Sequence, residues 1–279
     1  MRFVPRRQFF PVQPPPTDGT HPSCFAFAFA KGGSTLLYDI LTLLAPHAGV
    51  TYFSVSNHLY GKNVRADRRP SHIGSVLKPT GYCYGGYRDF PFYAIPMLHE
   101  AQVVFLVRDP RDMLTSLYYS VALSHGLPGE PEPGSATEAL LRARERALGQ
   151  TPDEFCLANV HRYTRMFEGY LAQFFHWRPN VATYRYEDVI YAKRDWIRDI
   201  CAWYGWMVTE AAVDEVLERV DVVPTSERPE EHIRQVRPGD HARRLKPATI
   251  AALNDILGEY LLLYGYAVPG QASVTATVA

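Results

Sequence analysis

Two stretches of the chain share one succession of patterns: a short apolar run, a polar turn, and apolar residues at helical spacing. The first apolar run covers residues 25–30 and is followed by the turn Lys31, Gly32, Gly33, Ser34 and Thr35. Beyond the turn and before Pro46, apolar side chains recur at helical spacing, at Leu36, Leu37, Ile40, Leu41 and Leu44. This pattern predicts a buried strand, a glycine loop and a helix.

The second stretch repeats the arrangement. Residues 102–107 are apolar, residues 108–112 are polar, and Met113, Ser116 and Leu117 then fall at helical spacing. Residues 76–78 and 181–184 are predicted to be two further short buried strands. Because strands that alternate with helices form parallel sheets covered on both faces, the predicted fold class is a three-layer α/β fold.

Several boundaries are marked by local chemistry. Ser135 and Thr151 each precede a glutamate by three residues, which predicts two capped helix starts. The glycine-rich segment 126–134 before them is interpreted either as a lid over a site or as a surface insertion. A last amphipathic helix is expected to carry an apolar stripe from Ile250 to Leu261, with Gly265 as its left-handed cap.

Length and composition limit the domain organisation. The chain has 279 residues, of which 47% are hydrophobic, and this is sufficient for one α/β domain. We predict an extended proline-rich arm over residues 1–22, a single domain over residues 23–268, and a flexible tail over residues 269–279.

Charge and cysteine content exclude some classes of function. The 29 basic and 29 acidic residues balance, so no broad positive surface for nucleic acid or anionic membrane is expected. The four cysteines lie far apart without a C-x-x-C pair, which argues against a zinc site or a disulfide framework and favours the reducing cytoplasm. No apolar run approaches the ~20 residues of a membrane-spanning helix.

The turn from Lys31 to Thr35 is a candidate phosphate or sulfate site. A glycine turn between a strand and a helix directs several backbone N–H groups and the helix N-terminus at one point. The lysine precedes the glycines, so the segment differs from the nucleotide-triphosphate loop G-x-x-x-x-G-K-[ST]. The alternative is an ordinary glycine turn that closes a strand–helix unit.

The order of motifs resembles that of the PAPS-dependent sulfotransferases, where PAPS is 3′-phosphoadenosine-5′-phosphosulfate. Their 5′-phosphosulfate loop has the form K-S-G-T-T or K-G-G-T, and residues 31–35 are similar to it. Arg108 and residues 109–112, with Ser116 on the next helix, resemble the family's 3′-phosphate motif R-x-P-x-D followed by serine. An arginine at a strand end and a hydroxyl two turns into the helix can converge on one phosphate. The alternative is a structural Arg–Asp pair at the strand exit.

Three weaker matches follow in the family's order. The whole resemblance runs from residue 25 to residue 266. Tyr186 begins a Y-E-D segment, and the pair Thr225 and Ser226 is similar to a family T-S pair; both imply contacts near adenine. The segment beginning at Arg234 partly matches R-K-G-x-x-G-D-W and implies a further 3′-phosphate contact, for which Arg237 competes.

The chain also departs from the family's pattern. Leu36 stands where many members have an adenine-stacking tryptophan, and His241 replaces the tryptophan of the last motif.

The resemblance implies an enzyme that transfers a sulfuryl group from PAPS to a hydroxyl, or less readily an amine, and releases PAP without a metal. In-line displacement of this kind depends on positioning and on cationic donors. Lys31 is expected to stabilise the charge that develops on the bridging oxygen, and Lys78 is a second candidate for the transferring group. The resemblance also implies a P-loop-like sulfotransferase architecture.

The acceptor and its general base remain open at this stage. Members with K-T-H at the corresponding strand end have a histidine there, whereas this chain continues as Lys78, Pro79 and Thr80. His58 is the predicted base because its imidazole titrates near neutral pH, with His72 and His99 as alternatives. The aromatic run at residues 82–93 is interpreted either as a pocket for a small-molecule, lipid or glycan acceptor or as a packed loop.

Two other functions are consistent with parts of the sequence. A P-loop kinase-like phosphotransferase with a degenerate loop would require a serine or threonine after the lysine, where Gly32 stands. A non-catalytic nucleotide-binding scaffold would keep the phosphate-binding arginines but would tolerate loss of Lys31.

Overall fold

The protein is described from a computed structural model, which covers residues 12–65, 71–91, 93–173, 178–222 and 235–268, without the side chains of residues 71 and 72. Five parallel strands form one sheet in the order β2-β3-β1-β4-β5. The strands are β1 (Cys24–Ala28), β2 (Thr51–Phe53), β3 (Tyr82–Tyr87), β4 (Val103–Val107) and β5 (Val181–Arg185). Every pairing is parallel, so the loops that follow the strands meet at one edge of the sheet.

Ten α-helices connect or flank these strands within the described residues. They are α1 (Ser34–Leu44), α2 (Val55–Gly61), α3 (Pro110–Tyr119), α4 (Ala136–Leu148), α5 (Pro152–Leu171), α6 (Tyr186–Val189), α7 (Lys193–Tyr204), α8 (Glu210–Val220), α9 (Asp240–Arg244) and α10 (Pro247–Leu263). Short 3₁₀ helices cover Ala45–Ala48 and Ser71–Val76, and a π-helical turn covers Ser120–Ser124 directly after α3.

The sheet is the middle layer of three, as predicted. Along β1, Phe25 and Phe27 face one way and pack with apolar residues of α2, α3, α5 and α10. Ala26 and Ala28 face the other way and pack with α1, α7 and α8. Because each face is covered, β1 is apolar at every position rather than alternating, which is why it appears in the sequence as a continuous apolar run.

The predicted helix boundaries agree closely with the structure. Thr151 forms a complete capping box with Glu154. The Ser135 hydroxyl caps α4 by accepting from the Glu138 N–H, while the Glu138 carboxylate accepts from the Gly134 N–H. Gly265 has a φ of 70° after the last helix, as expected for a left-handed cap.

The prediction of a strand over residues 76–78 is wrong. Val76 ends a 3₁₀ helix, and Pro79 and the left-handed Gly81 (φ 85°) delay the strand until Tyr82. The strand is instead built from the aromatic run, and Tyr82, Tyr84 and Tyr87 are buried within it. These three tyrosines are therefore core residues rather than a pocket lining, while Phe92 lies outside the described residues.

Both chain ends bear on the predicted domain limits. Residues 12–22 contact the domain near the start of β3: Val12 is buried, and the Tyr82 hydroxyl donates to the Pro15 carbonyl at 2.6 Å. The described part of the arm is thus packed against the domain. Residues 1–11 and the predicted tail 269–279 lie outside the described residues, so the domain limits stay a prediction.

Candidate active site

The carboxyl ends of β1 and β4 bring the two predicted motifs together. The chain leaves β1 toward β2 on one side of the sheet and leaves β4 toward β5 on the other. Such a switch point opens a crevice in which α/β proteins bind ligands. The Arg108 guanidinium, directly after β4, donates from Nη1 to the Lys31 carbonyl oxygen at 3.2 Å. Residues that are 77 positions apart in sequence therefore share one site.

The loop after β1 is held in an unusual backbone conformation. Lys31 has a φ of 66°, a left-handed value that side-chain-bearing residues seldom adopt, and Gly33 has a φ of 94°. A Cβ atom on Gly33 would lie 2.8 Å from the Leu106 and Tyr186 side chains, so only glycine fits there. The Tyr163 hydroxyl fixes the preceding turn by donating to the Ala30 carbonyl at 3.0 Å.

Helix α1 begins at Ser34 with Gly33 as its N-cap, and no described side chain caps it. The first N–H groups of a helix have no partner within the helix and carry partial positive charge. This end of α1 adjoins a cavity of about 540 Å³ that is lined by Lys31, Gly33, Ser34 and Thr35. The loop and the helix end thus form an anion-binding arrangement.

Besides the Lys31 carbonyl, two other groups position Arg108. Its guanidinium lies 4.4 Å from the centre of the Tyr186 ring, and its Nη2 is 3.8 Å from the Asp112 carboxylate. The residue is buried, and its Nε has no hydrogen-bond partner among the described residues. Ser116, two turns into α3, lines the same cavity as Arg108 and Tyr186. A buried guanidinium with an unused donor is suited to an anionic ligand.

Asp112 connects the Arg108 region to the start of α9. Its carboxylate accepts from the backbone N–H groups of Gly239 (2.7 Å) and His241 (2.9 Å), and from His241 Nδ1 at 2.6 Å. Burial alone would raise the pKa of Asp112, but the His241 hydrogen bonds and the Arg108 charge outweigh it and lower that pKa to about 2. Asp112 therefore remains ionised and anchors the C-terminal segment to α3.

Comparison with known proteins identifies the chain. A family model described as the sulfotransferase domain matches residues 91–250, more than half of the chain. The chain belongs to the sulfotransferase domain family. The matched range includes Arg108, Ser116 and Tyr186 but begins after the Lys31 loop. No curated protein matches the chain significantly in sequence.

Solved structures resemble the fold over most of its length. Mouse sulfotransferase SULT7A1, solved with PAP, matches with a TM-score of 0.56 and 14% identity over 88% of this chain and 85% of that one. Retinol dehydratase, solved with androsterone and the inactive cofactor PAP, matches with a TM-score of 0.51 and 15% identity over 86% of this chain and 80% of that one. These likenesses establish a shared fold over most of the chain.

Two candidates that the sequence offered to this sulfotransferase lie far from the cavity: Lys78, for the transferring group, and His99, as an alternative base. Lys78 precedes β3 and His99 precedes β4, so both are at the amino edge of the sheet, opposite the site. His99 is exposed, and its Nδ1 is 3.1 Å from Arg178 Nη1. The prediction for Lys78 failed because it depended on a strand over residues 76–78, which does not form.

The predicted base His58 does not line the cavity. It lies on α2, its ring packs 5.9 Å from the Phe53 ring, and its Nε2 is buried without a partner among the described residues. Its position therefore does not favour a role in proton transfer. The side chain of His72, and the predicted nucleotide contacts Thr225, Ser226 and Arg234, lie outside the described residues. Leu36 lines the cavity beside Thr35, and its predicted contact with the nucleotide stays a prediction.

Sequence reasoning missed several polar residues of the cavity. Asp39 on α1, Arg88 and Asp89 after β3, His125 after the π-helical turn and Arg162 on α5 all line it. Arg88 and Asp89 were detectable only if β3 had been placed correctly, since they directly follow its last residue. Lys193 and Arg219 line the same cavity, and Lys193 Nζ is 2.6 Å from the Asp221 carboxylate.

Two features are absent from the residues that the structure describes. No cluster of three or more histidine, cysteine, aspartate or glutamate residues suited to a metal ion occurs among them. Among the helices of the described residues, none has the length and apolar character needed to cross a bilayer.

Proposed function

We propose that the protein is a PAPS-dependent sulfotransferase (EC 2.8.2 class) that transfers a sulfuryl group to a hydroxyl, or less readily an amine, of a small-molecule, lipid or glycan acceptor. The observation that carries the proposal is the contact of Arg108 with the Lys31 carbonyl, between two residues that line one cavity. That contact joins two anion-binding groups on adjacent strands. A donor with phosphate groups at the 3′ and 5′ positions of one ribose needs such a pair. The solved relatives bound to PAP support the same donor.

In this proposal the loop after β1 holds the 5′-phosphosulfate. The N–H groups from Gly32 to Thr35 and the Ser34 and Thr35 hydroxyls bind its oxygens, while the Lys31 ammonium stabilises the charge that develops as PAP leaves. The acceptor oxygen bonds to sulfur as the bond from sulfur to the bridging phosphate oxygen breaks. Transfer requires no metal in this scheme, and this remains a prediction.

The 3′-phosphate is assigned to Arg108 and Ser116, and the adenine to the region of Tyr186 and Leu36. Thr225, Ser226 and Arg234 stay predicted contacts of the same nucleotide. The four cysteines are unpaired, which supports the expected cytoplasmic location. A single domain over residues 23–268 remains part of the proposal.

The test is calorimetric titration with PAP, and separately with ADP plus magnesium. We expect wild type to bind PAP and ignore ADP, and Arg108→Ala to weaken PAP binding about 10- to 100-fold through loss of charged hydrogen bonds. Arg198→Ala is the matched control, because Arg198 is an exposed arginine paired with Glu210 on the surface.

Other outcomes would support the rival functions. A preference for ADP with magnesium would contradict the proposal in favour of a kinase-like phosphotransferase. PAP binding without any PAP release from PAPS would instead favour a nucleotide-binding scaffold.

A further inference from the structure

One carboxylate of the cavity lies on the helix that begins at the phosphosulfate loop. Asp39 is four residues after Thr35 on α1, and both side chains line the cavity. Residues at this spacing are neighbours on one face of a helix, about one turn apart. Asp39 is therefore the only acidic residue of the described cavity lining that is rigidly connected to the proposed donor site through a single helix.

The environment of Asp39 differs from that of a structural carboxylate. It is half-buried, and it forms no hydrogen bond or ion pair with any described residue. Burial raises its pKa above the usual value of 3.8. A partly desolvated acid without a partner destabilises the fold, so its position in a cavity indicates a role in function.

Two other titratable side chains that line the cavity, those of Asp89 and His125, are placed less favourably for activating the acceptor. Asp89 is exposed on the loop after β3. His125 already contacts Ser120 Oγ through Nδ1 at 3.3 Å and packs against the Tyr60 ring. Both lie on other elements than α1, so their distance to the proposed donor is not set by one helix.

We infer that Asp39 is the general base that activates the acceptor, an assignment that rests on the proposed function. The Asp39 carboxylate takes the proton from the acceptor hydroxyl as the oxygen attacks sulfur. The electron pair of the breaking sulfur–oxygen bond goes to PAP, which leaves with its 5′-phosphate oxygen unprotonated. Sulfated acceptor, PAP and protonated Asp39 are the products, and the proton then passes to solvent.

The test compares two reactions that differ in their need for a base, and neither requires the natural acceptor. In PAPS hydrolysis, water is the acceptor and must lose a proton. In exchange from 4-nitrophenyl sulfate to PAP, 4-nitrophenolate leaves without needing a proton. We expect Asp39→Asn to slow hydrolysis about 100-fold or more and to leave the exchange rate and PAP affinity within about threefold. Asp39→Glu should recover part of the hydrolysis.

Three results would overturn the assignment: hydrolysis at the wild-type rate in Asp39→Asn, an equal fall in both reactions, or a larger selective loss in Asp89→Asn or His125→Gln. A wild type that exchanges but does not hydrolyse would also contradict it, because a base at this position should activate water. Failure of wild type to bind PAP would contradict the proposed function instead, so the two failures are distinguishable.

Discussion

Three residues of the site each destabilise the fold, and the remainder of the structure has to offset this loss of stability. Lys31 has a left-handed backbone, Arg108 is a buried cation, and Asp39 is a partly buried carboxylate with no hydrogen bond or ion pair to another described residue. Backbone strain of this kind and perturbed pKa values both cluster at functional sites. The three residues lie around one cavity, so their costs have a common explanation in ligand binding.

Lys31 offers a test that separates stability from catalysis. Relative to Lys31→Ala, Lys31→Gly should raise the free energy of unfolding by about 1 kcal/mol, because glycine adopts a left-handed φ without strain. Both variants should lose transfer activity about 100-fold or more, since both remove the ammonium. Urea unfolding and PAP release from PAPS measure the two quantities. Full turnover in either variant would remove Lys31 from the mechanism.

Asp39→Asn should have an effect on stability opposite to its effect on hydrolysis. Because the pKa of Asp39 is raised in the folded state, its ionised form disfavours folding above that pKa, and a neutral amide removes the cost. We therefore expect thermal unfolding of Asp39→Asn at pH 7 to occur at or above the wild-type temperature. A clear fall in the unfolding temperature would indicate a structural role for the carboxylate.

Asp112 makes the free energy of unfolding depend on pH, and the direction follows from the shift of its pKa. Its pKa is lowered from 3.8 to about 2, so its ionised form stabilises the fold above pH 3.8, and this contribution is lost as pH falls toward 2. Asp112→Asn should lower the free energy of unfolding at pH 7 by about 3 kcal/mol, since it leaves Arg108 without its buried counter-charge. The variant should also show a shallower acid-unfolding curve than wild type. Equal curves would contradict the assignment.

At the scale of elements, the start of α1 is formed by a close approach of three segments. Gly33 lies between Leu106, at the end of β4, and Tyr186, at the start of α6. The absence of a side chain there allows the loop after β1 to pack against β4 and the start of α6. The anion-binding end of α1 therefore depends on packing between elements as well as on the glycine turn itself.

Two glycine substitutions separate packing from backbone strain. Gly33→Ala introduces an alanine at a φ of 94° and places its Cβ 2.8 Å from two side chains, whereas Gly205→Ala introduces a left-handed alanine at a φ of 67° with no atom within 4 Å of its Cβ. We expect Gly205→Ala to cost about 1 kcal/mol and Gly33→Ala about 2–3 kcal/mol, with loss of PAP binding only in Gly33→Ala. Chemical denaturation and calorimetry provide both readouts. Equal costs would show that the contact at Gly33 is easily relieved.

For the whole molecule, the described part of the N-terminal arm is part of the packed structure. Val12 is buried in the same apolar cluster as Phe25, and Thr17 Oγ1 donates to the Gly81 carbonyl at 3.1 Å. These contacts lie near the start of β3, across the sheet from the cavity. The arm therefore bears on stability rather than on the chemistry of the site.

Deletion variants test this separation. Removal of residues 1–22 should lower the free energy of unfolding by about 2–4 kcal/mol, from the lost burial of Val12 and the hydrogen bonds of Pro15 and Thr17, while PAP affinity stays unchanged. Removal of residues 269–279 is the comparison, and we expect no change in either quantity. A loss of PAP binding on either deletion would contradict the predicted domain limits.

The sequence by itself determined the fold class, the β1 loop with α1, and the strand end at Arg108. In each of these the decisive features are local: an apolar run covered on both faces, a glycine turn, and helical spacing. The capped starts of α4 and α5 were predicted for the same reason, since Ser135 and Thr151 bind backbone groups only three residues away.

The tertiary structure alone decided which side chains share the cavity. β3 contains two glycines and several tyrosines, so its position followed from pairing with β1 and β2 and not from a local pattern. That shift of one strand moved Lys78 to the opposite edge of the sheet and brought Arg88 and Asp89 to the site. Asp39 gives no signal in sequence because its distinguishing property is partial burial without a hydrogen bond or ion pair to any residue that the structure describes, and only the packing of surrounding elements determines that property.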